Sequence, residues 1–338
     1  MEFCWALPVT SNSGDYKGLM DTLLKQTKAA EHHGFDSVLV ASVPNTFDPW
    51  IMGTFLGFET SRIRLLVAQN TNHMLPTYTA KALNTLNVLL NNRIDINIVT
   101  GSSSIALARD SRPESHEARY RRTGEFTHIM SLLRDGLTSY DGEFFGIANA
   151  DIYPKESTDQ KARLFVGGSS ANAINVAAKY ADYYLMYACD YSTIKDQFDH
   201  VTKTSFQYNR QVKKGVLVDV IARDTTEEAW EAANKLLHET PKAYKMLTKY
   251  YTSTADSVGL QRYRNLDSSN NYVIDEFLWA GLSQINPSVS VSIVGSYVEV
   301  IQALNRFSEA GAEYILLTSM LNDNEVERIG THILPHFK

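Results

Sequence analysis

Short apolar runs rich in β-branched residues alternate along this chain with longer stretches whose apolar residues recur at helical spacing. The first run, 2–8, stops at Pro8, and a helical pattern over 17–33 follows, with Leu19, Leu23, Leu24, Thr27 and Ala30 on one face and Gly34 at its close. Ser37–Ala41 reads as a second buried strand, and a loop through Pro44, Asn45, Thr46 and Asp48 enters a helix near Pro49-Trp50. Ile63–Ala68 is a third strand, 77–90 a helix begun at Pro76, and Asp95–Val99 a fourth strand that empties into Thr100-Gly101-Ser102-Ser103-Ser104. This alternation is that of parallel α/β folds. No Gly-x-Gly-x-x-Gly follows the first strand, which argues against a dinucleotide-binding half.

The rhythm continues after a long polar loop to 115. A helix over Glu117–Arg134 precedes a small hairpin turning on Asp141-Gly142, and Arg163–Val166 is a fifth strand whose Gly167-Gly168-Ser169-Ser170 turn opens a helix at 171–180. Tyr183–Tyr187, a helix over 192–211, Val216–Ala222 and a helix begun by Thr225-Thr226-Glu227-Glu228 complete two more units. Residues 240–290 break the pattern, as a lid or an oligomer contact would, before a helix at 297–309, the strand Tyr314–Thr318 and a terminal helix. The whole chain, 1–338, is therefore expected to be one (β/α)8 TIM-barrel domain with an insertion over 240–290 before its last strand.

Composition narrows the partners. With 44% apolar and 21% charged residues and a net charge of −6, the chain has an ordinary globular balance and no broad basic face for nucleic acid or an anionic membrane. The short cluster Arg119-Tyr120-Arg121-Arg122 reads either as a solvated helix face or as an anion site. Cys4 and Cys189 lie far apart and without metal-ligand spacing, so neither a disulfide framework nor a metal site is expected. The N-terminus carries no basic leader and no run reaches transmembrane length, so a cytoplasmic protein is expected.

Three places carry candidate chemistry. Asn97 interrupts a buried strand, where its amide serves either a ligand at the strand end or a neighbouring strand or ordered water. In Gly167-Gly168-Ser169-Ser170 the glycines admit a ligand close to the backbone, and the hydroxyls and the following helix N-terminus could hold a phosphate; the alternative is a plain serine N-cap. Asp219 interrupts an otherwise apolar strand, either as a functional carboxylate or as a structural one paired with a basic side chain or backbone N–H groups. His73, His116 and His332 have no spacing that unites them, and His116 stands out through its neighbour Tyr120.

These residues lie within motifs that resemble the bacterial luciferase-like flavin monooxygenases, most closely the alkanesulfonate monooxygenases. The resemblance rests on Asn97-Ile98-Val99-Thr100-Gly101, Ser115-His116-Glu117-Ala118-Arg119-Tyr120, Val166-Gly167-Gly168-Ser169-Ser170, Thr226-Glu227-Glu228-Ala229-Trp230, Asp256-Ser257-Val258-Gly259, Leu278-Trp279-Ala280-Gly281 and Val294-Gly295, in family order over nearly the whole length. It implies a barrel with an insertion closing over the active site, a homodimer or homotetramer, and reduced FMN taken from a separate NAD(P)H:flavin reductase. It also implies that Asn97 lies by the flavin and that Tyr120, Gly168, Ser169 and Ser170 hold its phosphate side. A turn after the third strand, Ala68-Gln69, would form a backbone kink under the ring.

The departures bear on the substrate. Where alkanesulfonate monooxygenases carry an arginine and a histidine on strand seven, this chain has Leu217 and Asp219; a lid arginine is matched by Asn286, a pocket cysteine by Thr46 and a late tyrosine by Met320. Cations that would pair a sulfonate are gone. The expectation is an O2-dependent monooxygenase acting on a small molecule other than a simple alkanesulfonate. Asp219 would act as base toward substrate or anchor for a cationic group, with Tyr187 and Thr46 lining the pocket. The rivals are a deazaflavin-dependent hydride transfer and a non-catalytic flavin-binding homologue.

Overall fold

A computed structural model describes residues 1–9, 14–43, 46–101, 114–263, 266, 270–286, 288–321 and 324–338. Ser102, Ser103 and Ser104, with Pro44, Asn45 and Pro287, lie outside the described residues. Eight parallel strands close on themselves in the order β1 (Glu2–Ala6), β2 (Ser37–Val40), β3 (Arg64–Asn70), β4 (Ile94–Val99), β7 (Leu164–Gly167), β8 (Tyr183–Tyr187), β9 (Lys213–Arg223) and β13 (Tyr314–Thr318), which returns to β1. The expected (β/α)8 barrel is the observed fold, and the small antiparallel pair β5 (Thr138–Asp141) and β6 (Gly146–Ala150) is the expected hairpin. Local signals set the helices as read: Gly34 closes the first helix at φ +79°, and Asp48 caps Pro49–Phe58 through the amides of Trp50 and Ile51.

Two layers of core follow from strand alternation. Inward-facing Cys4, Leu39, Leu66, Ala68, Phe165, Leu185 and Leu316 fill the barrel, while the opposite faces pack beneath the helices. The floor of the barrel is ionic. Asp95 is fully buried and receives Arg64 Nη2 at 2.6 Å and Arg163 Nη2 at 2.7 Å, and Arg163 also reaches Glu2. Burial alone would raise its carboxyl, but the two guanidinium groups hold it below the usual carboxylate range.

The structure corrects several boundaries. The helix expected over 192–211 ends at Phe206, because Asn209 turns into a left-handed conformation at φ +54°. Strand 216–222 is longer, and its length has a purpose: one edge of β9 pairs with β8 as far as Leu217 and then with β12 (Ser292–Ser296) from Asp219 onward. Through β12, the short antiparallel strands β11 (Leu278–Trp279) and β10 (Val273–Asp275) join the same sheet. The insertion is thus hydrogen-bonded to the barrel wall, and Trp279, Leu282, Ile285 and Val289 pack with Ile221 and Val294 as a separate small core. Among the described residues no helix is long and apolar enough to cross a membrane.

Candidate active site

Asn97 sits in register between Ala68 of β3 and Phe165 of β7, both members of the interior cluster, so its side chain shares their inward face. Its Oδ1 is buried and has no hydrogen-bond partner among the described residues. A bond to a neighbouring strand, one of the sequence-level alternatives, is not what occupies it. An acceptor held this way costs on the order of 1–3 kcal/mol. Asn97→Leu is therefore expected to raise the stability of the ligand-free protein by about 1 kcal/mol, checked by urea unfolding. An unchanged or lower midpoint would mean that the amide is satisfied.

The strand before it differs from expectation. Ala68 and Gln69 lie in no turn; β3 runs on through Asn70, and both are ladder residues opposite Asn97 and Ile98. Alternation then sends Gln69 away from the interior, where its Oε1 accepts from Trp50 Nε1 at 2.6 Å and its amide nitrogen donates to the Asn70 carbonyl. Only Ala68 and the backbone face inward.

At the C-terminal end of β7 the chain turns at Gly168, with φ +139°. A Cβ there would lie 2.3 Å from Tyr120 Oη and 2.8 Å from Ala173 Cβ, so the glycine lets the phenol rest on the turn. Burial raises the Tyr120 phenol above its usual range, and the hydroxyls of Ser170 and Thr100 lie within hydrogen-bonding reach of it. It is a neutral donor at physiological pH. Ser170 caps the helix Ala171–Tyr180 by accepting from the Ala173 amide at 3.2 Å, whereas Ser169 Oγ is buried without a partner among the described residues. The plain N-cap reading holds for Ser170 and not for Ser169. His116 packs its ring on Tyr120 with centroids 4.8 Å apart.

The arginines of the neighbouring cluster do not converge on this turn as free cations. Arg119 pairs with Asp256 at 2.5 Å, Arg121 with Glu143 at 2.9 Å and Arg122 with Glu114 at 2.8 Å. An anion at the turn would be met chiefly by hydroxyls, the phenol and backbone N–H groups.

Asp219 lies two residues beyond the inward-facing Leu217, is fully buried, and joins three segments. Its Oδ2 accepts from the Met320 amide at 2.8 Å, just past β13, and its Oδ1 is bonded to the Ser292 hydroxyl on β12. Burial pushes its carboxyl up to about 8; the Ser292 and Met320 bonds only partly offset this, and nearby Glu325 adds to it. The raised value favours the neutral form near pH 7, and the two bonds of the group are to a hydroxyl and a backbone amide. Tyr187 ends β8 with its ring against the backbone of Gly259, and burial pushes its phenol up to about 12. Thr46 is grouped instead with Leu7, Val40 and Met52 around a recess at the ends of β1 and β2.

A protein-family model described as luciferase-like monooxygenase matches residues 1–314. The chain belongs to this family. Among solved structures, it is similar to an EDTA monooxygenase from Chelativorans sp. BNC1, with 14% identity, a TM-score of 0.80, and 99% of this chain and 93% of that one covered. It is likewise similar to the oxygenating constituent of 3,6-diketocamphane monooxygenase from Pseudomonas putida in complex with FMN, at 15% identity, TM-score 0.73 and coverage of 99% and 98%. An F420-dependent secondary alcohol dehydrogenase aligns at 17% identity, TM-score 0.73 and coverage of 98% and 98%. At these identities the likeness is one of fold.

Within this luciferase-like enzyme, three site features went unread in the sequence. Ser292, the partner of Asp219, falls in Ser288-Val289-Ser290-Val291-Ser292-Ile293, whose strict alternation was a strand signal. The seating of Gly259 on Tyr187 and Ser169, and the Arg119–Asp256 pair, join segments far apart in the chain and left no local trace.

Proposed function

We propose that this luciferase-like enzyme is a two-component monooxygenase: it takes reduced FMN from a separate NAD(P)H:flavin reductase and uses O2 to oxidise a small neutral or amine-bearing molecule. The observation that carries the reading is the buried Asn97 Oδ1 on the barrel's inner face, without a partner among the described residues, on the strand beside the one that leads into Gly168 and Ser169. An amide acceptor suits a flavin ring N–H, and a turn with a free hydroxyl and a neutral phenol suits a phosphate; the residues present fit FMN. Ser169, Ser170 and Tyr120 would hold the phosphate, and Asn97 with Ala68 would meet the ring. When bound in its reduced form, the flavin supplies the reaction with O2.

The chain supplies position, dryness and a proton. The closed barrel and the segment over Gly259 keep water from the Ser169 hydroxyl. Asp219, neutral within β9 and held by Ser292, is the group proposed to keep or release a proton toward the reacting centre, with Tyr187 lining the pocket. Exposed Ile51, Phe58, Leu75 and Tyr78 on the outer faces of Pro49–Phe58 and Pro76–Leu89 support a homodimer or homotetramer.

The test is oxygen consumption with reduced FMN supplied by a flavin reductase over a panel of amines, neutral molecules and alkanesulfonates. Substrate-dependent oxygen use with an amine or neutral compound, and little with alkanesulfonates, is the expected result. Preferential binding of deazaflavin with oxygen-independent turnover would favour the hydride-transfer reading instead. Full FMN binding with no turnover on any compound would favour a non-catalytic homologue.

Asp219 gives a pH signature. Its folded value near 8 lies above the unfolded one of about 3.9, so the folded state binds the extra proton and this contribution to stability is lost as pH rises through 8. Asp219→Asn is expected to flatten that decline and to remove the alkaline limb of the rate profile near 8, read by thermal unfolding and turnover across pH 5 to 9. Superimposable wild-type and variant profiles would remove Asp219 from the proton role.

A further inference from the structure

We propose that the Arg119–Asp256 ion pair fastens residues 256–263 as a lid over the Ser169–Ser170 turn, so that a phosphate-bearing cofactor leaves only after the pair opens. This rests on the flavin reading of that turn. The segment lies against it directly: Gly259 is buried, and a Cβ on it would stand 2.9 Å from Tyr187 Cδ2 and 3.4 Å from Ser169 Oγ. Leu260 and Tyr263 are buried as well, and Tyr263 Oη accepts from the Asp190 amide at 3.3 Å.

The two halves of the fastening differ in character. Arg119 is fixed, with its side chain 5% exposed and Nη1 donating to the Glu114 carbonyl at 2.8 Å, whereas the Asp256 side chain is 42% exposed and comes from the insertion. One residue beyond Arg119, Tyr120 rests on Gly168. The buried end is therefore covalently next to the phenol of the turn, and the more exposed end leads within three residues into the glycine that covers Ser169. Asp256 Oδ1 is buried without a hydrogen-bond partner among the described residues, so the contact of Oδ2 with Arg119 is what ties this carboxylate down. A half-exposed pair of this kind weakens with ionic strength. Such a link makes lid seating and cofactor retention two readings of one coupling, and the coupling acts in both directions. Arg119 and Asp256 are positioning residues here; neither is assigned a contact with reacting atoms.

The experiment uses the full chain and FMN. Asp256→Asn is compared with wild type and with Asp256→Glu, by hydrogen exchange of the ligand-free proteins and by stopped-flow dissociation of FMN. In Asp256→Asn, amides of 256–263 are expected to exchange faster while the barrel strands do not change, and FMN is expected to leave about tenfold faster. Wild-type dissociation should quicken with added salt, the Asn variant should be insensitive to it, and Glu should restore most of the wild-type behaviour. Faster exchange with an unchanged dissociation rate overturns the gate, and unchanged exchange overturns the fastening. Failure of the wild type to bind FMN is seen before any variant is compared; it overturns the flavin reading and the gate with it, while the exchange comparison still judges the fastening alone.

Discussion

Gly168→Ala is expected to weaken FMN binding by about a hundredfold or more, equivalent to about 2.7 kcal/mol. Two causes act together. At φ +139° a side-chain-bearing residue is strained by about 1–3 kcal/mol, and the new methyl would stand 2.3 Å from Tyr120 Oη and 2.8 Å from Ala173 Cβ. Either the turn or the phenol must move, and both belong to the proposed phosphate site. Gly167→Ala is the matched control: a Cβ there meets only the Leu185 carbonyl, at an ordinary 3.7 Å. It is expected to leave folding stability within about 1 kcal/mol of wild type. Adding Tyr120→Phe to Gly168→Ala removes the Oη contact but not the backbone strain, so it is expected to recover little affinity. Fluorescence titration with FMN, beside thermal unfolding of each variant, decides the matter. Wild-type affinity in folded Gly168→Ala would detach the turn from the cofactor.

The second large effect lies at the other end of the barrel. Asp95→Asn removes the fully buried anion shared by Arg64 and Arg163, leaving Arg64 without a carboxylate and Arg163 with Glu2 alone, and is expected to cost about 3 kcal/mol. The pH dependence follows from the sign of the shift. Because the folded carboxyl lies below its ordinary value, the stabilisation is present above the unfolded value near 3.9 and is lost as pH falls through the folded one. Asp95→Asn should show no such acid-side loss from this group. Urea unfolding at pH 7 and in a series carried well below the unfolded value of about 3.9 measures both. FMN affinity of the folded fraction should not change, since the floor of the barrel is remote from Gly168; a parallel loss of affinity would mean that the two ends are not independent.

The barrel could be read from the chain because parallel strands buried on both faces are continuous apolar runs, and each is followed by a helix with its own cap or terminal glycine. Asn97, Gly168, Ser169 and Asp219 were visible for a related reason: a polar residue or a glycine at the end of such a run is conspicuous. What local pattern cannot carry is the partner. Asp219 finds Ser292 at 73 residues' remove and Arg119 finds Asp256 at 137, both across an insertion whose short strands are mostly two to five residues long. A turn at Ala68-Gln69 was expected because the strand was ended before its last two residues; once β3 runs through Asn70, alternation turns the Gln69 side chain toward Trp50. Composition likewise suggested a basic cluster at Arg119–Arg122 that geometry resolves into separate ion pairs.

The central claim is that Asn97 and the Gly168–Ser170 turn hold reduced FMN for reaction with O2. Anaerobic titration of the full chain with FMN in both redox states, followed by rapid mixing with oxygenated buffer, tests it most directly. The account predicts that reduced FMN binds more tightly than the oxidised form, that Asn97→Leu weakens both, and that oxygen produces a transient absorbance change that free flavin does not give under the same conditions. Binding of neither form to a folded protein would contradict it.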